Sequence, residues 1–208
     1  MPKLLHMICS PRAQSESSAA GRMFVDLFRN SHADWDIDEM DLWHEPLPEF
    51  VGPILNAKYA RIDGRGFSNE ERDAFAVAER LVMRLALSER LVISTPMWNF
   101  SIPYKLKQWI DIISQPGLTF RFDPATGYLP LLGDRPALVI IASGSDFISG
   151  MNRGRVDMAT PYLREALRFI GIRSLQFVPV GPTTGPAEPI RSGRDGAYRR
   201  LGELAARF

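Results

Sequence analysis

The chain has 208 residues, with 25 Lys and Arg against 24 Asp and Glu, a formal net charge of +1. That balance lacks the basic excess of a nucleic-acid binder, and no apolar run nears the roughly 20 residues of a membrane-spanning helix. An apolar share of 45% and a charged share of 24% are ordinary for a globular protein, and the length fits one domain over residues 1–208.

Cys9 is the only cysteine and sits in an apolar run, so it reads as a small core residue rather than a reactive thiol. His6, His32 and His44 show no clustered spacing, so no protein-held metal is expected. The apolar stretch between Met1 and Cys9 is too short for a signal peptide, and the cytoplasm is the default location.

Leu4 to Cys9 is a short apolar run, the mark of a strand buried on both faces. Ala20, Phe24, Leu27 and Phe28 then recur at helical spacing up to about Asn30. Trp35, Ile37, Met40 and Leu42 mark a second strand. From His44 to Gly66 the chain is rich in Pro and Gly and reads as a long excursion. Ser68, with Glu71 three residues later, is a capping box that opens a helix reaching about Ser88.

Arg90 to Thr95 is the third strand, and Leu106, Ile110 and Ile113 share a face of the next helix. Leu118 to Phe122 alternates at period two, and Tyr128 to Leu132 follows a turn at Asp123–Gly127, which predicts an inserted hairpin or flap after the third helix. Pro136 to Ala142 is the fourth strand. A helix starting near Thr160 and ending at Ile170 follows, with Pro161 tolerated in its first turn. Leu175 to Val180 is the fifth strand, and Gly193 to Phe208 reads as a final helix. The alternation predicts a doubly wound five-stranded parallel sheet, whose ligands bind beyond the carboxyl ends of the strands.

Three such loops carry chemistry. After the first strand, Ser10, Ser15 and Ser17 lie before a helix, whose free N–H groups and partial positive charge favour phosphate, and Arg12 adds charge. Ser15 or Ser17 also suits a plain helix cap. The glycine fingerprints of dinucleotide and nucleoside-triphosphate sites are absent, which leaves a monophosphate. After the third strand, Pro96 and Pro103 stiffen a loop holding Met97, Trp98, Asn99 and Phe100, suited to a flat and partly polar ring. After the fourth, Ser143-Gly144-Ser145-Asp146 lets a ligand approach the backbone. A phosphate-bearing planar aromatic satisfies all three, and flavin mononucleotide (FMN) is such a molecule.

Met97-Trp98-Asn99-Phe100-Ser101-Ile102-Pro103, with Leu106, Lys107 and Asp111, resembles the FMN-dependent NADH-azoreductase family, as do Gly117 to Phe122 and the pair Thr160-Pro161-Tyr162-Leu163 and Phe169-Ile170-Gly171-Ile172. The resemblance implies a flavodoxin-like sheet of order 2-1-3-4-5, a homodimer, FMN reduced by NADH or NADPH, and quinones or azo compounds as acceptors. It carries the family's phosphate-binding serine onto Ser10 and its Ser-x-Ser triplet onto Ser15, Glu16 and Ser17. The ring-binding residues fall on Met97, Trp98, Asn99 and Phe100, and the loop after the fourth strand on Ser143, Gly144, Ser145 and Asp146. Trp98 stands in place of the usual tyrosine, and Ser145-Asp146 in place of Gly-Gly. A carboxylate at Asp146 disfavours an anionic reduced flavin by like-charge repulsion.

The implied cycle is ping-pong two-electron transfer, with no catalytic side chain assigned. Phe120, Phe122 and Tyr128 on the flap either wall the acceptor pocket across a dimer interface or simply pack in the core or in an interface. The alternatives are a flavodoxin-type electron carrier, which tends to be acidic, and a non-enzymatic flavin-binding regulatory module of the same fold.

Overall fold

The computed structural model describes residues 1–147 and 154–208. Five parallel strands form the main sheet: β1 (Lys3–Ile8), β2 (Asp36–Asp41), β3 (Arg90–Pro96), β6 (Ala137–Ala142) and β7 (Leu175–Val180). Their order is β2-β1-β3-β6-β7, which is the expected 2-1-3-4-5 once the hairpin strands β4 (Phe120–Asp123) and β5 (Gly127–Pro130) are set aside. That hairpin pairs antiparallel, with Phe122 opposite Tyr128, as the period-two pattern predicts.

The central strands are almost wholly buried and mostly apolar because helices cover both faces. On one face, Leu5, Met7, Leu91, Ile93, Val139 and Ile141 pack under α3 (Asn69–Ala86), α4 (Tyr104–Ile113) and α5 (Ala159–Ile170). On the other, Leu4, Val92, Leu138 and Ile140 pack under α1 (Glu16–Ser31) and α6 (Ala187–Ala205). Cys9 is fully buried, and desolvation, reinforced by the Asp41 carboxylate, pushes its thiol up, so the core reading of this residue holds.

Two elements differ from expectation. The excursion holds a helix, α2 (Gly52–Ile62), packed on α3. Its stripe is only Ile54, Ala57 and Ala60, its N-cap Val51 offers no side-chain hydrogen bond, and Pro53 stands at its start, where proline is compatible with a helix. The last helix begins at Ala187 rather than Gly193, because Pro189 lies in its first turn, where no N–H is needed.

The helix α1 lies against the sheet at Gly21. A Cβ there would stand 1.9 Å from Ser94 Oγ and 2.7 Å from His6 Nε2, two buried groups that share a 2.9 Å hydrogen bond. In an open helix Gly→Ala gains about 1 kcal/mol. Here overpacking, at about 1–3 kcal/mol, together with disruption of a buried hydrogen bond, at about 1 kcal/mol, outweighs that gain. Gly21→Ala is expected to lower the urea midpoint, and a raised midpoint would contradict the close contact.

The capping box on α3 forms as predicted. Glu71 N donates to Ser68 Oγ at 3.1 Å and Ser68 N donates to Glu71 Oε2 at 2.8 Å. Arg65 grips the same carboxylate at 2.9 and 2.7 Å, and with the Ser68 N–H holds the pKa of Glu71 down to about 2. A carboxyl depressed on folding stabilises the protein fully above its unfolded pKa of ~4.3 and loses that contribution as pH falls toward the folded value. Glu71→Gln is therefore expected to reduce stability at pH 7 and to narrow the difference in urea midpoint between pH 7 and pH 3. An unchanged difference would count against the capping ion pair.

Candidate functional site

The carboxyl ends of β1, β3 and β6 open into a cleft of about 430 Å³ lined by Ser10, Arg12, Gln14, Ser15, Glu16, Pro96, Met97, Trp98, Ala142, Gly144, Thr183 and Thr184. An adjoining cleft of about 200 Å³ shares Met97 and Gly144 and adds Asn99, Phe100, Ser143, Ser145 and Phe147. The three loops expected to converge therefore do so. Asp146 is half-buried and does not line either cleft, so the electrostatic effect expected of its carboxylate lacks direct contact with them.

At the α1 end, Ser15 is the N-cap, its Oγ accepting from Ser18 N at 3.2 Å and lying 3.0 Å from the buried Ser17 Oγ. The cap takes one of the helix's first donors. The backbone N–H groups of Glu16 and Ser17 find no acceptor among the described residues, so the helix end keeps the donors and partial charge that attract an anion. Ser10 is buried, and its Oγ accepts the Arg12 N–H at 3.4 Å.

The β3 loop is a tight two-residue turn. Trp98 N donates to Ser101 O at 2.8 Å and Ser101 N to Trp98 O at 3.0 Å, while Asn99 and Phe100 have φ of 48° and 71°. Positive φ at both central positions is the type I′ arrangement, usual for Asn but strained for an aromatic residue. The strain is held by Met97 N donating to Ala142 O at 2.7 Å and Met158 N donating to Phe100 O at 2.9 Å. The turn leaves the N–H groups of Asn99 and Phe100 without acceptors among the described residues, as the β6 loop leaves those of Gly144 and Ser145.

The β6 loop is fixed by Ser143 Oγ donating to Ser145 O at 2.7 Å and Ser143 N donating to Val180 O at 3.0 Å. Thr184 Oγ1 donates to Gly144 O at 2.9 Å, and a Cβ on Gly144 would stand 3.2 Å from it. Thr183 and Thr184 come from the loop after β7, which the sequence marks only as Pro-rich.

Phe120, Phe122 and Tyr128 do come together, with Phe169: the ring centroids of Phe120 and Phe169 lie 4.8 Å apart and those of Phe122 and Tyr128 5.2 Å. They line a separate cleft of about 710 Å³ that also holds Lys58, Arg61 and Arg121 and shares no lining residue with the strand-end clefts. Phe120 is buried, as a packing role requires, whereas Phe122 and Tyr128 are 61% and 63% exposed.

The open helix end, the serines and Arg12 suit a phosphate, and the slot between the Trp98 loop and Gly144 suits a flat ring with polar edges. A family model described as the flavodoxin-like fold matches residues 2–204. FMN-dependent NADH:quinone oxidoreductase 1 of Bradyrhizobium diazoefficiens is 69% identical over 208 residues, the whole of both chains. FMN-dependent NADH:quinone oxidoreductase 3 of Pseudomonas fluorescens is 36% identical, covering 99% of this chain and 96% of its own. An azoreductase from Bacillus anthracis str. Sterne shares the fold over all of both chains, with a TM-score of 0.90 at 24% identity. An FMN-dependent NADH-azoreductase from Bacillus anthracis str. Ames Ancestor, solved in complex with FMN, gives a TM-score of 0.83 at 25% identity over 99% of this chain and 100% of its own. This is a chain of the flavodoxin-like class. Within that class it belongs to the family of FMN-dependent NADH:quinone oxidoreductases.

The strain at Phe100 is testable by comparing two small residues. Alanine keeps the Cβ that clashes at positive φ, and glycine removes it. Phe100→Gly is expected to be about 1 kcal/mol more stable than Phe100→Ala by urea unfolding, the reverse of the order in regular helix or strand. An Ala variant at least as stable as the Gly variant would mean that the turn is unstrained.

Proposed function

We propose that the chain binds FMN in the strand-end cleft and transfers two electrons from NADH to quinones and azo compounds. The observation that carries this reading is the meeting, in one cleft, of the start of α1 at Ser15 and Glu16 with Met97 and Trp98 of the β3 loop. When bound, FMN supplies two-electron redox chemistry between the nicotinamide donor and the acceptor.

The chain's own residues bind and orient. Ser10, Ser15, Ser17 and the backbone at Glu16 hold the phosphate, with Arg12 adding charge at the rim. Met97 and Trp98 pack on the ring. The N–H groups of Asn99, Phe100, Gly144 and Ser145 meet its polar edge. Asp146 adds a carboxylate beyond that edge. No side chain is assigned a proton, because solvent can protonate the product.

Phe120, Phe122 and Tyr128 wall the acceptor pocket. Within one chain their cleft lies apart from the cradle, so a second copy is needed to set one against the other. The exposed Phe122 and Tyr128, with Tyr59 and Ile62 of α2 at 56% and 57% exposure, support that pairing. Donor and acceptor use one place in turn, which makes the cycle ping-pong. No helix among the described residues is long and apolar enough to cross a membrane, and the lone buried cysteine supports a cytoplasmic setting.

Initial rates of NADH oxidation, measured at several fixed benzoquinone concentrations, test the reading. Turnover with parallel double-reciprocal lines is expected. Intersecting lines would contradict the shared place, and bound FMN without turnover would point to an electron carrier or regulatory module instead.

A further inference from the structure

We propose that Trp43, in the loop after β2, is a positioning residue that holds the ring of Trp98 in place at the flavin cleft. The inference rests on the FMN reading of that cleft.

Trp43 is tied at two points. Its backbone N–H donates to Asp41 Oδ1 at 2.9 Å, and its indole Nε1–H donates to the carbonyl of Cys9 at 3.1 Å. Cys9 directly follows β1, and the next residue is Ser10 of the cleft. The indole bond therefore anchors Trp43 to the rigid end of the sheet, at the loop assigned to the phosphate. From there its ring reaches Trp98, with centroids 5.8 Å apart and planes tilted by 51°. Tyr104, the first residue of α4, closes the group, edge-on to Trp43 at 5.3 Å and tilted by 47° to Trp98 at 6.4 Å.

The loop carrying Trp43 is itself braced. Arg84 of α3 binds Glu45 at 2.9 Å and Asp38 at 2.7 and 2.8 Å, so the segment leaving β2 is pinned across the sheet edge.

Trp98 needs such a support. It sits at the corner of the strained turn, which fixes its backbone but not its ring. The ring is half-buried, and Trp43 and Tyr104 are its aromatic neighbours. Tyr104 is 62% exposed and has no side-chain hydrogen bond among the described residues, so Trp43 is the anchored member of the three. A bare structural role for Trp43 would stabilise the loop alone. A positioning role makes its effect on FMN depend on Trp98.

A double-mutant cycle separates the two. Apoprotein is titrated with FMN, and the dissociation constant is measured for the native chain, Trp43→Ala, Trp98→Ala and the double variant. Trp43→Ala is expected to weaken FMN about five- to tenfold in the native background, the scale of one lost aromatic contact and its hydrogen bond, and less than about twofold once Trp98 is alanine. Trp43→Phe keeps a ring without the N–H and is expected to fall between native and Trp43→Ala. It also carries the cycle if the alanine variant does not fold. At saturating FMN the visible circular dichroism of the bound flavin should change in Trp43→Ala. Equal weakening in both backgrounds, or none in either, would overturn the positioning role while leaving the flavin site standing. A native chain that does not bind FMN would overturn the flavin reading and this inference together.

Discussion

The geometry of the cleft depends on how closely α1 lies on the sheet. The missing side chain at Gly21 lets the helix settle onto Ser94 and His6, with no room for a methyl group. That contact fixes the height of the helix above β1 and β3, and hence where its first turn ends. With the helix at this depth, Ser15 and Glu16 at its start line the same cleft as Met97 and Trp98. A helix held a few ångströms further out would keep its dipole and its cap, but the phosphate donors would no longer belong to the ring slot.

The rest of the site follows from how the strand ends brace one another. Cys9 N donates to Ser94 O, Met97 N to Ala142 O and Ser143 N to Val180 O, so the ladder continues past the last strand residues and holds each loop to its neighbour. On this frame the β3 loop tolerates an aromatic at positive φ. The frame also leaves particular N–H groups at the cleft without acceptors among the described residues. Strain and unpaired donors in the same loops are what a preorganised ligand site requires.

Most of this was legible in the sequence because the signals were local and strong. β1, β3 and β6 are short, mostly apolar runs, the Ser68–Glu71 box marks its helix start, and the serines, the Met97–Phe100 segment and Ser143–Ser145 come after three of the strands. What escaped was set by tertiary contact. The stripe of α2 is three small or medium residues with no cap, stable only against α3. The start of α6 is masked by Pro189 and Gly193. Thr183 and Thr184 reach the cleft only because β7 ends beside β6, and Trp43 matters only because the end of β2 lies beside Cys9. The separation of the Phe120–Tyr128 cleft from the strand-end cradle is likewise a property of the fold, since the first is lined by α2, the hairpin and α5 and the second by the loops leaving the strands.

The central claim is that the open end of α1 binds a phosphate in the same cleft that holds a flavin ring. Comparing the dissociation constants of FMN and riboflavin, which differ by that phosphate, tests it most directly. Two hydrogen bonds to a charged group, at about 1.5 kcal/mol each, make FMN roughly 100-fold tighter or more. FMN and riboflavin binding with equal affinity would contradict the claim.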